Sequence, residues 1–234
     1  MLAVYKKELK SYFYSPIAYV LIGFFIILTS IFFTVNLTYQ YGEFNTNLQD
    51  MGYFLIFLVP ILTMRILAED RKNRTDVMLM TSPISLTSIV VGKYLAVLTV
   101  FLVMVVISFI YPIILIAFGA ELTAKLVGGY IGFILLGASF LSVGVFASSL
   151  TENQIIAAII GFVCLLVMWI ADGIGTLMGG FVAKIMGWIS LLSRYADFNQ
   201  GIVGLSPIIY YLSFICVFLF LTIMMIERRR WSQG

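Results

Sequence analysis

Residues 94–120 read YLAVLTVFLVMVVISFIYPIILIAFGA, a stretch without a single charged side chain. About 20 consecutive apolar residues carry a helix across the hydrocarbon of a bilayer. Lipid supplies no water to a backbone left unpaired, so such a stretch crosses as a helix. Further uncharged runs lie at 11–42, 51–64, 126–151, 153–171 and 198–226. The run at 51–64 is short and becomes a full span if its helix continues to about Ala68, with Arg65 snorkelling to the near interface. Pro60 within it is tolerable where neighbours re-satisfy the freed carbonyl. The reading is an all-α membrane protein with six transmembrane helices, at about 17–36, 51–68, 89–118, 126–149, 154–172 and 207–226.

Composition narrows the function classes. Of 234 residues, 62% are apolar and 11% charged, whereas a soluble domain carries roughly a quarter charged residues. Histidine is absent, which removes the commonest general base and metal ligand. Cys164 and Cys216 sit in the middle of apolar runs, as small hydrophobes rather than as a disulfide or metal pair. The first apolar run is too long for a secretory h-region and no small-residue cleavage site follows, so it is read as a retained helix. The basic residues form no stripe for nucleic acid; they collect at segment ends. Lys6, Lys7, Lys10, Arg65, Arg71, Lys72, Arg74, Lys93, Arg228, Arg229 and Arg230 fall on one side of the membrane, and Lys125, Lys184 and Arg194 on the other. This asymmetry puts both termini and the loop after the second span in the cytoplasm.

Residues 1–15 precede the first span. On a helical wheel Leu2, Tyr5, Leu9, Tyr12 and Phe13 share one face, with Lys6, Lys7 and Lys10 beside it and Pro16 marking the turn. This is either an interfacial "elbow" helix or a positively charged flank. On the outer side, residues 172–206 carry Gly173, Gly175, Gly179 and Gly180, then Trp188, Leu191, Leu192 and Tyr195. That pattern reads as a re-entrant or interfacial element. Gly128 and Gly132, Ala138 and Ser142, and Gly144 and Ser148 are small pairs at fourfold spacing, suited to close helix packing. No internal repeat is visible, which counts against carriers built from inverted repeats.

The loop 69–93, EDRKNRTDVMLMTSPISLTSIVVGK, is the most informative segment outside the spans. Thr75 or Asn73 can cap a short helix that Pro83 ends, and Ser85 can start the third span. Exposed Val77, Met78, Leu79 and Met80 need a cover, either the protein's own bundle or a docking partner; methionine suits a surface that must adapt. Arg65 and Glu69 stand four apart on one helix face, where an intrahelical pair forms.

This loop resembles the signature of ABC-2-type transporter permeases. The matching residues are Glu69, Asp70, Arg71, Lys72, Thr75, Thr81, Ser82 and Pro83, followed by Gly92 and Lys93 at the opening of the third helix. Arg74 departs from the glycine usual in the family, and Val77 from its common glutamate. SLTENQIIAAIIGF (149–162) and RYADFNQGIVGLSPIIYYLS (194–213) resemble the family's short link between spans four and five and its outer entry to the last span. Length and loops resemble the small permeases of the gliding-motility and copper-processing type. The resemblance implies an export permease in a bacterial inner membrane, paired with an identical or related permease. It implies that the loop at 69–88 holds a coupling helix, roughly Arg71–Thr81, which docks on a separate ATP-binding subunit. The ATPase-coupling set is then Glu69, Asp70, Arg71, Lys72, Thr75, Val77, Met78, Leu79, Met80, Thr81, Ser82 and Pro83. Glu69 and Asp70 would pair with basic residues of that subunit or with Arg65.

The chain has no G-x-x-x-x-G-K-[ST] loop, so ATP and Mg are expected on the partner and no cofactor on this chain. No paired carboxylates lie within the spans, and no catalytic residue is assigned. Asp172 lies at the outer end of its helix beside glycine and is read as a solvated helix-end residue. Two other classes stay open: an ion-coupled carrier or channel, which needs charges facing the bundle interior, and a membrane scaffold, which needs no coupling loop.

Overall fold

The computed structural model describes residues 1–39, 44–75, 85–119, 124–178 and 190–232. Among these it is all helix: α1 (Leu2–Tyr14), α2 (Pro16–Thr38), α3 (Phe44–Thr63), α4 (Arg65–Lys72), α5 (Leu86–Ser108), α6 (Ile110–Ala117), α7 (Ala124–Leu150), α8 (Gln154–Met178), α9 (Leu192–Asn199) and α10 (Leu205–Ser232). Six stretches are long and apolar enough to cross a membrane: Pro16–Thr38, Phe44–Lys72, Leu86–Ala117, Ala124–Leu150, Gln154–Ala171 and Leu205–Arg228. The second combines α3 with α4, and the third combines α5 with α6. Trp188 and the rest of 179–189 lie outside the described residues, as do the side chains of 172–178, Asp172 included.

Local chemistry explains where the helices start and bend. Ser15 accepts from the Ile17 amide at 3.4 Å and Pro16 opens α2, where its missing N–H would be unpaired anyway. Ser85 caps α5 as expected, accepting from the Ser88 amide at 3.3 Å. The helix runs through Pro60 without interruption to Thr63. Between α5 and α6 the cause of the break is Pro112. It has no N–H to give the Ser108 carbonyl, and the Tyr130 hydroxyl donates to that carbonyl instead, at 3.1 Å. A buried carbonyl freed by proline thus finds its partner on another span.

The interior of the bundle is α7 with α3 and α4, while α2, α8 and α10 turn most of their surface outward. α7 packs on α3, α10, α8 and α9, and its small residues are the reason it can. A methyl at Gly128 would stand 2.9 Å from the Phe198 carbonyl oxygen, one at Gly132 would overlap the Phe198 side chain at Cβ, and one at Gly144 would overlap Thr63. The small pairs therefore hold the bundle together. α9 lies against this surface with Tyr195 and Phe198 buried. It closes at Gly201, whose φ of +83° is a left-handed conformation natural to glycine. The Tyr211 hydroxyl, on α10, donates to the Leu191 carbonyl at 2.6 Å.

Tyr130→Phe leaves the Ser108 carbonyl unpaired in an apolar interior and is expected to destabilise the fold by about 1–3 kcal/mol. In a Pro112→Ala background, where an amide N–H is restored, most of that loss should vanish. Melting midpoints of the four proteins in one detergent check the coupling.

Candidate functional site

The polar chemistry of the chain concentrates where the loop after the second span leaves the bundle. Lys93, in the second turn of α5, is 1% exposed. Its Nζ donates to Glu8 Oε1 of α1 at 2.8 Å and to the Ile66 carbonyl of α4 at 2.8 Å, and it ion-pairs with Asp70 Oδ2 of α4 at 2.5 Å. An ammonium has three protons to place; two go into the hydrogen bonds to Glu8 and Ile66, and Asp70 adds its charge through an ion-pair contact in which Oδ2 accepts no hydrogen bond. Asp70 Oδ1 accepts from the Thr75 hydroxyl at 2.9 Å, so the second carboxylate oxygen is held as well. Beside Lys93, Gly92 lets α1 come close: a methyl there would meet the Met1 carbonyl oxygen at 3.2 Å and Val4 Cβ at 3.3 Å. Glycine admits the helix and lysine grips it, which gives the Gly-Lys pair a physical reason.

A second set of contacts ties α1 to the same place. Arg65, at the start of α4, donates to Ser15 Oγ at 3.2 Å and Ser11 Oγ at 2.7 Å, and its guanidinium lies 5.0 Å from the centre of the Tyr12 ring. Its Nε is 3.3 Å from Glu69 Oε2, the expected fourfold pair. The Tyr12 hydroxyl donates to the Leu62 carbonyl at 2.8 Å. Burial pushes the Tyr12 phenol well above its ordinary range, with Arg65 opposing the shift, so it stays a neutral donor.

The third anchor is α7. Where α3 breaks into α4, the new helix start has amides without partners. Ser148 Oγ accepts from both the Leu67 and Ala68 amides at 3.1 Å and donates to the Met64 carbonyl at 3.0 Å. It is an N-cap supplied by another span. Arg71 Nη1 then donates to the Ser149 carbonyl at 2.8 Å, at the end of α7 where carbonyls lack partners and a cation is favoured.

The sequence-derived set divides at this point. Asp70 and Arg71 are drawn into the bundle, by Lys93 and Ser149 respectively, while Glu69 stays partly exposed on its own helix beside Arg65, Lys72 is exposed and Thr75 bonds back to Asp70. Val77, Met78, Leu79, Met80, Thr81, Ser82 and Pro83 lie outside the described residues. Asn73 does not open a helix; it closes α4, its amide bonded to the Glu69 carbonyl at 3.0 Å. Arg74 follows at φ +56°, the left-handed position after a helix end that glycine normally fills. The departure from glycine seen in the sequence therefore falls where glycine would be easiest. Sequence reading missed the pairing of Lys93 with Glu8. Its signals were a lysine inside an apolar helix and a lone acid among three lysines on α1.

The arrangement defines a polytopic helical membrane protein whose buried charges brace one loop against three helices. The chain belongs to the ABC-2 family transporter proteins, whose sequence pattern matches residues 48–227, most of its length. It is a permease of that family, an integral membrane protein with six apolar helices. No curated protein matches it.

Lys93→Met leaves Glu8 and Asp70 facing each other unpaired and is expected to cost about 3–5 kcal/mol. Lys93→Met with Glu8→Gln and Asp70→Asn should recover most of that loss, as read from melting midpoints. Arg74→Gly relieves the left-handed backbone and should stabilise by roughly 1 kcal/mol; a lower midpoint would contradict the helix-end geometry.

Proposed function

We propose that this permease couples ATP hydrolysis on a separate ATP-binding subunit to export across the membrane, with residues 71–81 as the docking element. Two permeases, identical or related, form the path. ATP and Mg reside on the partner subunits. Both termini and the docking loop lie in the cytoplasm, and the membrane is a bacterial inner membrane.

The observation that carries this reading is the bracing of the loop root. A load applied to the loop reaches Asp70 and Arg71 first. Asp70 passes it through Lys93 to α5 and through Glu8 to α1, while Arg71 and the Ser148 cap pass it to α7. A loop serving only as a connection has no need of a buried ionic root, since such groups are costly to desolvate. An ATP-binding subunit that holds the loop more tightly in one nucleotide state biases the bundle by that difference in affinity. Lys72, exposed beside this root, is free to meet the partner's surface.

Purification of the chain in mild detergent from its native membrane should bring down an ATP-binding subunit at roughly one to one. Serines at Val77, Met78, Leu79 and Met80 should abolish that association while leaving the melting midpoint of the permease unchanged. Intact association in this variant would move the docking element elsewhere. A chain that purifies alone and moves solute down an ion gradient in vesicles would replace the reading with that of a secondary carrier.

A further inference from the structure

α1 and the first turn of α2 border an open cleft of about 320 Å³ lined by Leu9, Lys10, Phe13, Tyr14 and Tyr19. That volume falls in the range of small-ligand sites, roughly 300–1,000 Å³. The floor is apolar: Leu9 and Phe13 pack against the core, and the Phe13 and Tyr19 rings meet edge to face at 6.3 Å. The rim is basic and phenolic. Lys10 is exposed, Lys6 stands one helical turn before it, and Tyr14 and Tyr19 are 86% and 60% exposed.

The charge of α1 is one-sided. Its single acid, Glu8, points inward and is neutralised by Lys93. Lys6, Lys7 and Lys10 are exposed, and no acid within 1–15 compensates them. Tyrosine rings settle at headgroup depth, and lysines beside them attract anionic lipid. An apolar slot lined by Lys10 and two phenols, with Lys6 one helical turn away, matches an acyl chain joined to a phosphate. A soluble anion would leave the slot's apolar floor uncovered, and a zwitterionic lipid would gain less from the lysines.

We infer that this cleft holds one anionic glycerophospholipid of the adjacent leaflet, its acyl chain along Leu9 and Phe13 and its phosphate at Lys10 and Lys6. The site does not depend on the proposed ATP coupling. Its occupant presses on the side of α1 opposite Glu8, so it also steadies the helix that Lys93 grips.

The test uses the full-length chain in nanodiscs containing phosphatidylcholine and a titrated fraction of phosphatidylglycerol, with bound lipid read by native mass spectrometry. One phosphatidylglycerol per chain should be retained in preference to phosphatidylcholine. With about 1 kcal/mol lost for each lysine removed near an anionic surface, Lys6→Gln with Lys10→Gln should weaken that preference roughly thirtyfold. Lys7 does not line the cleft, so Lys7→Gln should cost clearly less than Lys10→Gln. All variants are compared at equal monodispersity, and all are surface changes. Equal losses from Lys7→Gln and Lys10→Gln would mean diffuse attraction and overturn the site. Unchanged retention in the double variant would overturn it too. Displacement of the lipid by inorganic phosphate alone would make it a soluble-anion site and likewise reject the proposal.

Discussion

An ammonium group buried to 1% exposure among helices is tolerated only if nearby oxygens compensate its charge. Lys93 meets this condition by drawing in one group from α1 and two from α4. Its demand therefore sets the relative positions of three helices at once. Neither Glu8 nor Asp70 can drift without leaving a buried charge uncompensated. Because the interaction is all-or-none in this sense, it favours one arrangement of this end of the bundle over near alternatives, even where its net contribution to stability is small.

The opposite face of the same junction is organised by hydroxyls and missing methyls on α7. Ser148 reaches α4 only because α7 lies close to the second span, and it lies close because Gly144 has no side chain to collide with Thr63. Tyr130, further along α7, repairs the carbonyl that Pro112 leaves open. In hydrocarbon no water substitutes for these partners, so each break in a helix has to be answered by a side chain from another one. α7 supplies the answer at both breaks, which is the physical sense in which it is the centre of the bundle.

What could be read from the sequence follows from the range of each interaction. Spans depend on the length of apolar runs, and six emerge. The Ser85 cap and the Arg65–Glu69 pair act over three or four residues and were equally legible. The small residues of α7 announced close packing, though not what packs there. Lys93–Glu8 was not legible, since the two residues are 85 positions apart and nothing local tells a lysine which helix will carry its acid. Which of Thr75 and Asn73 stands at a helix end, and at which end, is not legible for a related reason. Asparagine suits both ends of a helix, and only the continuation of α3 into α4 through Met64 decides that it closes one.

Arg74 joins these levels. Directly after α4 the chain turns through a left-handed residue, and an arginine holds that conformation where glycine would do so at lower cost. A non-glycine residue accepts this position when the neighbours on both sides are fixed. On one side Arg71 and Asp70 are clamped to α7 and Lys93, and on the other Thr75 is bonded back to Asp70. The turn is thus over-determined by the ionic root. A rigid exit of this kind transmits force, whereas a glycine hinge would absorb it. On the proposed coupling reading, a substituted glycine and a buried lysine serve the same end: they keep the docking loop from moving independently of the helices it is meant to move.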